Sequence, residues 1–171
     1  MEPCYACAMA KAKEKKNNKV SKTESTQKGE RLFIDKSSVW AQSFSGSKFW
    51  LLVVDDWSNM CWSFFLPTKG HVGQTIVQFI KNLRVQKIPV KNIYCDNAGE
   101  NFSIQKMCEK EEYGNNFEFT GPGSPQYDGK VERKFSTMYG KVRAFLNNAK
   151  LPTNFRKGLW AEAMLPTWKM F

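Results

Sequence analysis

Residues 95–100 read CDNAGE and residues 129–134 read GKVERK. The first segment places Asp96 at the end of a short apolar run, and the second places Glu132 in the first turn of an amphipathic helix, with 35 residues between the two acids. Upstream, Asp35 lies in a further apolar run. Because an ionised carboxylate is costly to bury unless a partner or a metal neutralises it, we predict that these three acids converge on divalent metal and that the protein cuts or joins a nucleic-acid backbone.

The composition is that of one folded domain. With 171 residues, 42% of them hydrophobic and 14% aromatic, the chain is long and apolar enough to bury a core. No apolar run approaches the roughly 18 residues that a membrane helix needs. The first residues lack the apolar stretch of a secretory signal. The sequence therefore predicts a soluble, intracellular protein without a membrane partner.

The formal charge of +10 is concentrated in two blocks. Residues 11–22 contain six lysines against Glu14 alone, and residues 130–157 contain eight basic residues against Glu132 alone. Clustered Lys and Arg gain affinity for polyanions by displacing counterions from phosphates. The charge pattern thus predicts a nucleic-acid partner, the alternative being a solvated surface that merely keeps the protein soluble.

The five cysteines are an odd set, which we expect to be reduced. Cys4 and Cys7 form a C-x-x-C pair, which is half of a zinc site. His71 is the only histidine and no second cysteine pair exists, so we do not expect the chain to bind Zn²⁺ on its own. We predict that residues 1–29 form a separate segment with a lysine-rich linker, and that the folded part covers residues 30–171.

Hydrophobic periodicity predicts an α/β fold in which helices flank a mixed sheet. Three successive strands favour an antiparallel meander, and the helix-to-strand crossover after them favours a parallel fourth strand. The predicted elements are strands at 31–40, 49–54, 61–66, 93–95 and 117–119, and helices at about 72–83, 102–112, 129–149 and 154–165, with a loop at 121–125. The long helix is expected to bury Val131, Phe135, Met138, Val142, Phe145, Leu146 and Ala149.

Phosphodiester chemistry needs the charge that carboxylates and divalent metals supply. Two metal ions can stabilise the attacking and the leaving oxygen, and Mg²⁺ prefers hard oxygen ligands. Each acid nevertheless has a structural explanation, because Glu132 suits a helix N-terminus and Asp96 suits a turn. Spacing alone does not choose among these acids and their competitors, which are Asp55, Asp56, Glu100 and Asp128.

An ordered set of motifs resembles the integrase core of copia-type retrotransposons, within the retroviral integrase superfamily. The matching segments are Cys4-x-x-Cys7, Ile34-Asp35, residues 53–58 (VVDDWS), residues 95–100, Gly121-x-x-Ser124-Pro125-Gln126-x-x-Gly129-x-Val131-Glu132-Arg133, Leu151-Pro152 and residues 159–163 (LWAEA). The resemblance implies a ribonuclease H-like five-stranded sheet. It also implies that Asp35, Asp96 and Glu132 are the Asp-Asp-Glu triad.

By the same resemblance, the chain would carry out DNA 3′-end processing and strand transfer with Mg²⁺ or Mn²⁺. The alternatives are an inactive polyprotein fragment that binds nucleic acid by charge, and a ribonuclease H-type nuclease. Homo-oligomers and a location in the nucleus or a virus-like particle are also implied. The residues expected to contact DNA are Ser124, Gln126, Lys130, Arg133, Lys134, Lys141 and Arg143.

The sequence departs from the family pattern at several points. The two histidines that the family places before Cys4 and Cys7 are missing, which leaves this pair as incomplete zinc ligands. Asp128 stands where the family usually has Asn, and Ala98 replaces a common Gly. The sequence ends at Phe171 without the downstream regions that the resemblance leads us to expect, so we expect a piece of a polyprotein.

Overall fold

The computed structural model describes residues 25–120 and 129–164. The strands are β1 (Arg31–Ser38), β2 (Phe49–Asp55), β3 (Cys61–Leu66), β4 (Asn92–Cys95) and β5 (Asn116–Phe119). The helices are α1 (His71–Val85), α2 (Gly99–Lys110), α3 (Gly129–Asn148), α4 (Thr153–Gly158) and α5 (Trp160–Met164). The strands form one sheet in the spatial order β3-β2-β1-β4-β5.

The sheet is mixed, as the sequence predicts. β1, β2 and β3 pair antiparallel as a meander. β4 then pairs parallel to β1, and β5 pairs parallel to β4. A parallel neighbour requires a long crossover, which α1 and α2 supply. The predicted mixed five-stranded sheet with flanking helices is confirmed.

Alternation along the strands divides the core between the two faces of the sheet. On β1, Leu32 and Ile34 point into the core that the sheet forms with α1 and α2. Phe33 points into the opposite core, which contains α3 and α5 together with Trp50 of β2. The α3 face matters for function, because α3 carries Glu132.

The far end of α3 is less buried than its periodicity predicts. Val131, Phe135, Met138 and Val142 are buried as expected. Phe145, however, is 55% exposed, Leu146 is half-buried and Ala149 is exposed. The prediction for Phe145 and Ala149 is therefore wrong, because the apolar pattern continues into the last turn of α3, where Phe145 is mostly exposed to solvent, and Ala149 follows the end of the helix at Asn148.

The predicted last helix is divided into α4 and α5, which meet around Leu159. The N–H of Phe44 donates a hydrogen bond of 2.7 Å to the carbonyl of Gly158. A Cβ on Gly158 would lie 3.1 Å from the ring of Phe44, so the close approach of this ring favours glycine. Phe155 is 51% exposed and packs against Phe44 with ring centroids 5.9 Å apart.

Three cysteines lie in the described part of the chain, and all are buried free thiols. Cys61 and Cys95 are small core residues of the strands, and Cys108 lies on α2. Burial raises the pKa of the Cys108 thiol to about 11. Such a thiol stays protonated and unreactive at neutral pH.

Asp55 closes the β2–β3 turn from a fully buried position. Its carboxylate accepts hydrogen bonds of 2.8 Å from the N–H groups of Gly29 and Ser58, and a further bond from the Ser58 hydroxyl. This arrangement confirms that Asp55 has a turn role. It also shows that Gly29 contacts the folded core just before the predicted domain start at residue 30.

Replacing Asp55 with Asn should lower the free energy of unfolding by about 1–3 kcal/mol, because one amide oxygen cannot serve donors that two carboxylate oxygens accept. Urea denaturation of the variant measures the change. Glu109→Gln, an exposed acid on α2, is the control and should change stability by less than about 0.5 kcal/mol. Equal stability of the two variants would contradict the turn role.

Candidate active site

Asp35 lies on β1, and Asp96 directly follows β4, which is the parallel neighbour of β1. The register pairs Leu32 with Ile93 and Phe33 with Tyr94. Continuing this register by two residues places Asp96, which directly follows β4, beside Asp35. Because side chains alternate along a strand, Asp35 projects from the same face as Phe33, which is the face that α3 covers. Continuing the alternation of β4 by one residue past its end assigns Asp96 to the face of Tyr94.

The local contacts of Asp96 hold its carboxylate in place. Its Oδ1 accepts hydrogen bonds from the N–H of Ala98, at 3.1 Å, and from the side-chain amide of Asn101. The same amide donates to the main-chain carbonyl of Asp96 at 3.1 Å. No described residue donates a hydrogen bond to Oδ2 of Asp96. One oxygen is therefore anchored and the other can accept a ligand.

Asn101 is a site residue that the sequence analysis missed. It is 5% exposed and lies in the first turn of α2, where it is buried together with Ile104 and Cys108. A signal was available, because Asn101, Ile104 and Cys108 recur at helical spacing and only Asn101 is polar. A polar residue on a buried helix face needs a partner, and here that partner is Asp96.

Asp35 is half-buried within β1. Its Oδ1 accepts a hydrogen bond of 2.7 Å from the N–H of Lys36. Lys36 itself points to the opposite face of the sheet, where its ammonium forms an ion pair with Glu100. This hydrogen-bonded ion pair lowers the pKa of Glu100. Glu100 is thereby engaged on the face away from Asp35, which agrees with its exclusion from the predicted triad.

Glu132 is exposed in the first turn of α3. The helix is anchored by Trp50, which is fully buried and contacts Phe135 and Tyr139 edge-on, with ring centroids 4.6 and 4.9 Å apart. The buried residues of α3 thus face the sheet, and Glu132 lies next to them on the exposed surface of the helix.

The three acids do not form a closed metal site as they stand. Within residues 25–120 and 129–164, no three His, Cys, Asp or Glu side chains lie close enough together to hold a metal ion. The β1–β4 register, continued by two residues, pairs Asp35 with Asp96, and Glu132 lies on the helix that covers one face of these strands. The assignment of all three as metal ligands stays a prediction.

Several predicted DNA contacts lie on one flank of α3. Lys130, Arg133 and Lys134 line a surface cavity of about 480 Å³ with Asn59 and Thr137. Asn59 belongs to the β2–β3 turn, so this cationic cavity opens beside that turn.

Lys141 continues the same flank, whereas Arg143 does not. Burial raises the pKa of the Cys61 thiol on β3, and the charges of Lys134 and Lys141 oppose this effect. Lys141 follows Lys134 by seven residues, which is about two helical turns, so both lysines point to the same flank. Arg143 is exposed, and helical geometry puts it about 200° around the axis from Lys141.

Other predicted residues lie outside the described part of the chain. These are the zinc-type pair Cys4 and Cys7 and the loop residues Ser124, Gln126 and Asp128. Within the described part, no helix combines the length and the apolar character needed to cross a membrane.

Comparison with known proteins supports the resemblance. The fold is similar to that of the HTLV-2 integrase catalytic core domain, solved in complex with magnesium in a trimeric form, with a TM-score of 0.55, 15% identity and 82% of each chain covered. The Pol polyprotein of transposon TNT 1-94 from Nicotiana tabacum is 33% identical over 172 residues, which cover 96% of this chain. The chain is related in sequence to retrotransposon Pol polyproteins and has the fold of an integrase catalytic core, and we call it the integrase-like core.

The integrase-like core is also similar to part of the Pol polyprotein of transposon RE1 from Arabidopsis thaliana, with 26% identity over 155 residues and 87% of this chain covered. It spans 12% of the tobacco polyprotein and 10% of the Arabidopsis one. No protein-family model matches it. The ribonuclease H-like fold expected from the sequence is confirmed by the structural match and the mixed sheet.

Proposed function

We propose that the integrase-like core catalyses metal-dependent DNA 3′-end processing and strand transfer. The observation that carries the proposal is the parallel pairing of β1 with β4. Its register, continued by two residues, leads to Asp35 and Asp96, and α3, which bears Glu132, covers one face of these strands. Rigid elements supply all three acids, which suits a site that must hold a reacting phosphate in a fixed geometry.

The residues fit Mg²⁺ or Mn²⁺. Carboxylate oxygens are the ligands that these hard cations prefer. Asn101 fixes one oxygen of Asp96 and leaves the other for a ligand, and Glu132 is exposed at the end of a helix where its rotamer can change. A bound divalent ion would supply charge stabilisation for the attacking and leaving oxygens of a phosphodiester.

The chain itself would bind and orient the DNA. Arg133 and Lys134 line the cationic cavity, and Lys141 extends that flank. Contacts of this kind fix a DNA backbone without reading its sequence. They also make affinity fall with rising salt concentration. We therefore propose that α3 is the element that the DNA backbone contacts.

The experiment is a joining assay with a labelled oligonucleotide that carries a recessed 3′-hydroxyl, incubated with Mg²⁺ or Mn²⁺ and a plasmid target. We expect metal-dependent transfer of the label to the plasmid. Salt-sensitive DNA binding without cutting or joining under either metal would favour the inactive alternative. Hydrolysis of an RNA–DNA hybrid in the absence of joining would favour a ribonuclease H-type nuclease.

Several broader features follow from the same proposal. Joining two DNA ends in a coordinated way requires at least two copies of the site, so we propose a homo-oligomer. Since the second substrate is host DNA, we propose that the protein acts in the nucleus, after assembly in a virus-like particle. We also propose that residues 1–29 form a zinc-type remnant and linker, and that residues 30–171 form the catalytic core.

A further inference from the structure

We propose that Lys130 is a positioning residue for Glu132, and that its ion pair with Asp56 fixes the rotation of α3 about its own axis. The inference rests on the proposed function. It gives Lys130 a different role from the DNA contact that the sequence suggested.

The side chain of Lys130 contacts two residues, Asp56 and Phe33. Its ammonium lies 2.7 Å from Oδ1 of Asp56 and 2.5 Å from the main-chain oxygen of the same residue. It also lies 5.6 Å from the ring centroid of Phe33 on β1. The side chains of Lys130 and Asp56 are only 24% and 22% exposed, so solvent screens this pair less than a fully exposed one.

Asp56 is itself fixed to the sheet. Its N–H donates a hydrogen bond of 3.0 Å to the carbonyl of Arg31, the first residue of β1. Its Oδ2 accepts a hydrogen bond of 2.9 Å from the Ser25 hydroxyl. The ion pair of Lys130 therefore connects the first turn of α3 to a fixed acceptor, Asp56, which lies between the end of β2 and the start of β1.

Helical geometry relates the position of Lys130 to the direction in which Glu132 points. Successive residues of a helix are about 100° apart, so Lys130 and Glu132 point about 200° apart around the axis. The buried residues Val131, Phe135 and Met138 lie between them and face the sheet. With Lys130 held on the flank near the β2–β3 turn, Glu132 is directed to the other flank, on the side of β1 and β4 where Asp35 and Asp96 lie.

Apolar packing alone leaves this rotation loosely defined at the end of the helix. Trp50 contacts Phe135 and Tyr139, which lie one to two turns beyond Glu132 along α3. In the first turn, Val131 is the buried apolar residue. A charged pair with a fixed acceptor adds a directional restraint where the carboxylate has to be placed.

The test compares Lys130→Met, Asp56→Asn, the double variant and the conservative Lys130→Arg. Both single variants should lower the kcat of strand transfer by about 10- to 100-fold, because small misplacements of a reacting group have effects of this size. The KM for DNA should change by less than about threefold. The double variant should be no worse than either single variant, and Lys130→Arg should recover much of kcat. Lys91→Met breaks an ion pair of similar length, Lys91–Glu30 at 2.8 Å, and should leave kcat unchanged.

A second readout does not depend on activity. The amides of residues 133–136 bond to the carbonyls of the first turn of α3, so their hydrogen exchange should be faster in both single variants and unchanged in Lys91→Met. If the wild-type protein neither cuts nor joins DNA, the proposed function fails and the exchange data still decide whether the pair restrains the helix. The inference is overturned if exchange is unchanged, or if Lys130→Met raises KM alone while Asp56→Asn has no effect, since Lys130 would then be a phosphate contact.

Discussion

Replacing Glu132 with Gln should reduce strand transfer by about 1000-fold, because the amide keeps the shape of the side chain but loses the charge that a divalent metal needs. Glu132 is exposed and contributes no core contact. The free energy of unfolding should therefore change by less than about 0.5 kcal/mol. Initial rates of joining with Mn²⁺, together with urea denaturation of the same samples, separate the two effects.

Glu109→Gln is the matched control for this experiment. Glu109 is also an exposed helical glutamate, but it lies on α2, which packs on the opposite face of the sheet from α3. Joining by this variant should equal that of the wild type. If Glu132→Gln joins DNA as fast as Glu109→Gln, Glu132 is not a catalytic residue and the triad assignment is wrong.

Replacing Trp50 with Ala should lower the free energy of unfolding by about 3–5 kcal/mol, which is the typical effect of truncating a large buried aromatic residue. Trp50, a residue of β2, is fully buried against α3 and contacts both Phe135 and Tyr139 edge-on. The contacts that are lost belong to the interface between α3 and the sheet. Urea denaturation followed by circular dichroism measures the change.

Trp40→Ala removes the same side chain from an exposed position and serves as the control. Trp40 is 87% exposed, and its contact of note is the Lys157 ammonium, 5.2 Å from its ring centroid. An exposed cation–π contact is worth about 0.5–1 kcal/mol, so this variant should lose no more than that. Equal destabilisation by the two substitutions would contradict the role of Trp50 as the anchor of α3.

Most of the fold can be predicted from local sequence patterns. Period-two and period-3.6 patterns identify five strands and the main helices, because burial on one face of an element leaves its period in the sequence. They do not show which positions of a helix its neighbours cover, and Phe145 is 55% exposed although the pattern predicts that it is buried. The break between α4 and α5 depends on Phe44, more than 110 residues earlier in the chain.

The candidate site is predicted only in part, for a similar reason. Asp35 and Asp96 stand out because one lies within an apolar strand and the other directly follows one, and the register of β1 and β4, continued by two residues, pairs them. The support of Asp96 by Asn101 and the pairing of Lys130 with Asp56 join residues from separate elements. The sequence and its family resemblance suggested that Lys130 contacts DNA, whereas its observed partner is a carboxylate of the same chain.

The most direct test of the central claim is anomalous diffraction from crystals soaked in Mn²⁺. The account predicts a manganese peak at coordination distance from the carboxylates of Asp35 and Asp96, with Glu132 turned toward it. It also predicts the loss of that peak in crystals of Asp96→Asn. Manganese bound elsewhere, for instance at Asp56, with no peak between Asp35 and Asp96, would contradict it.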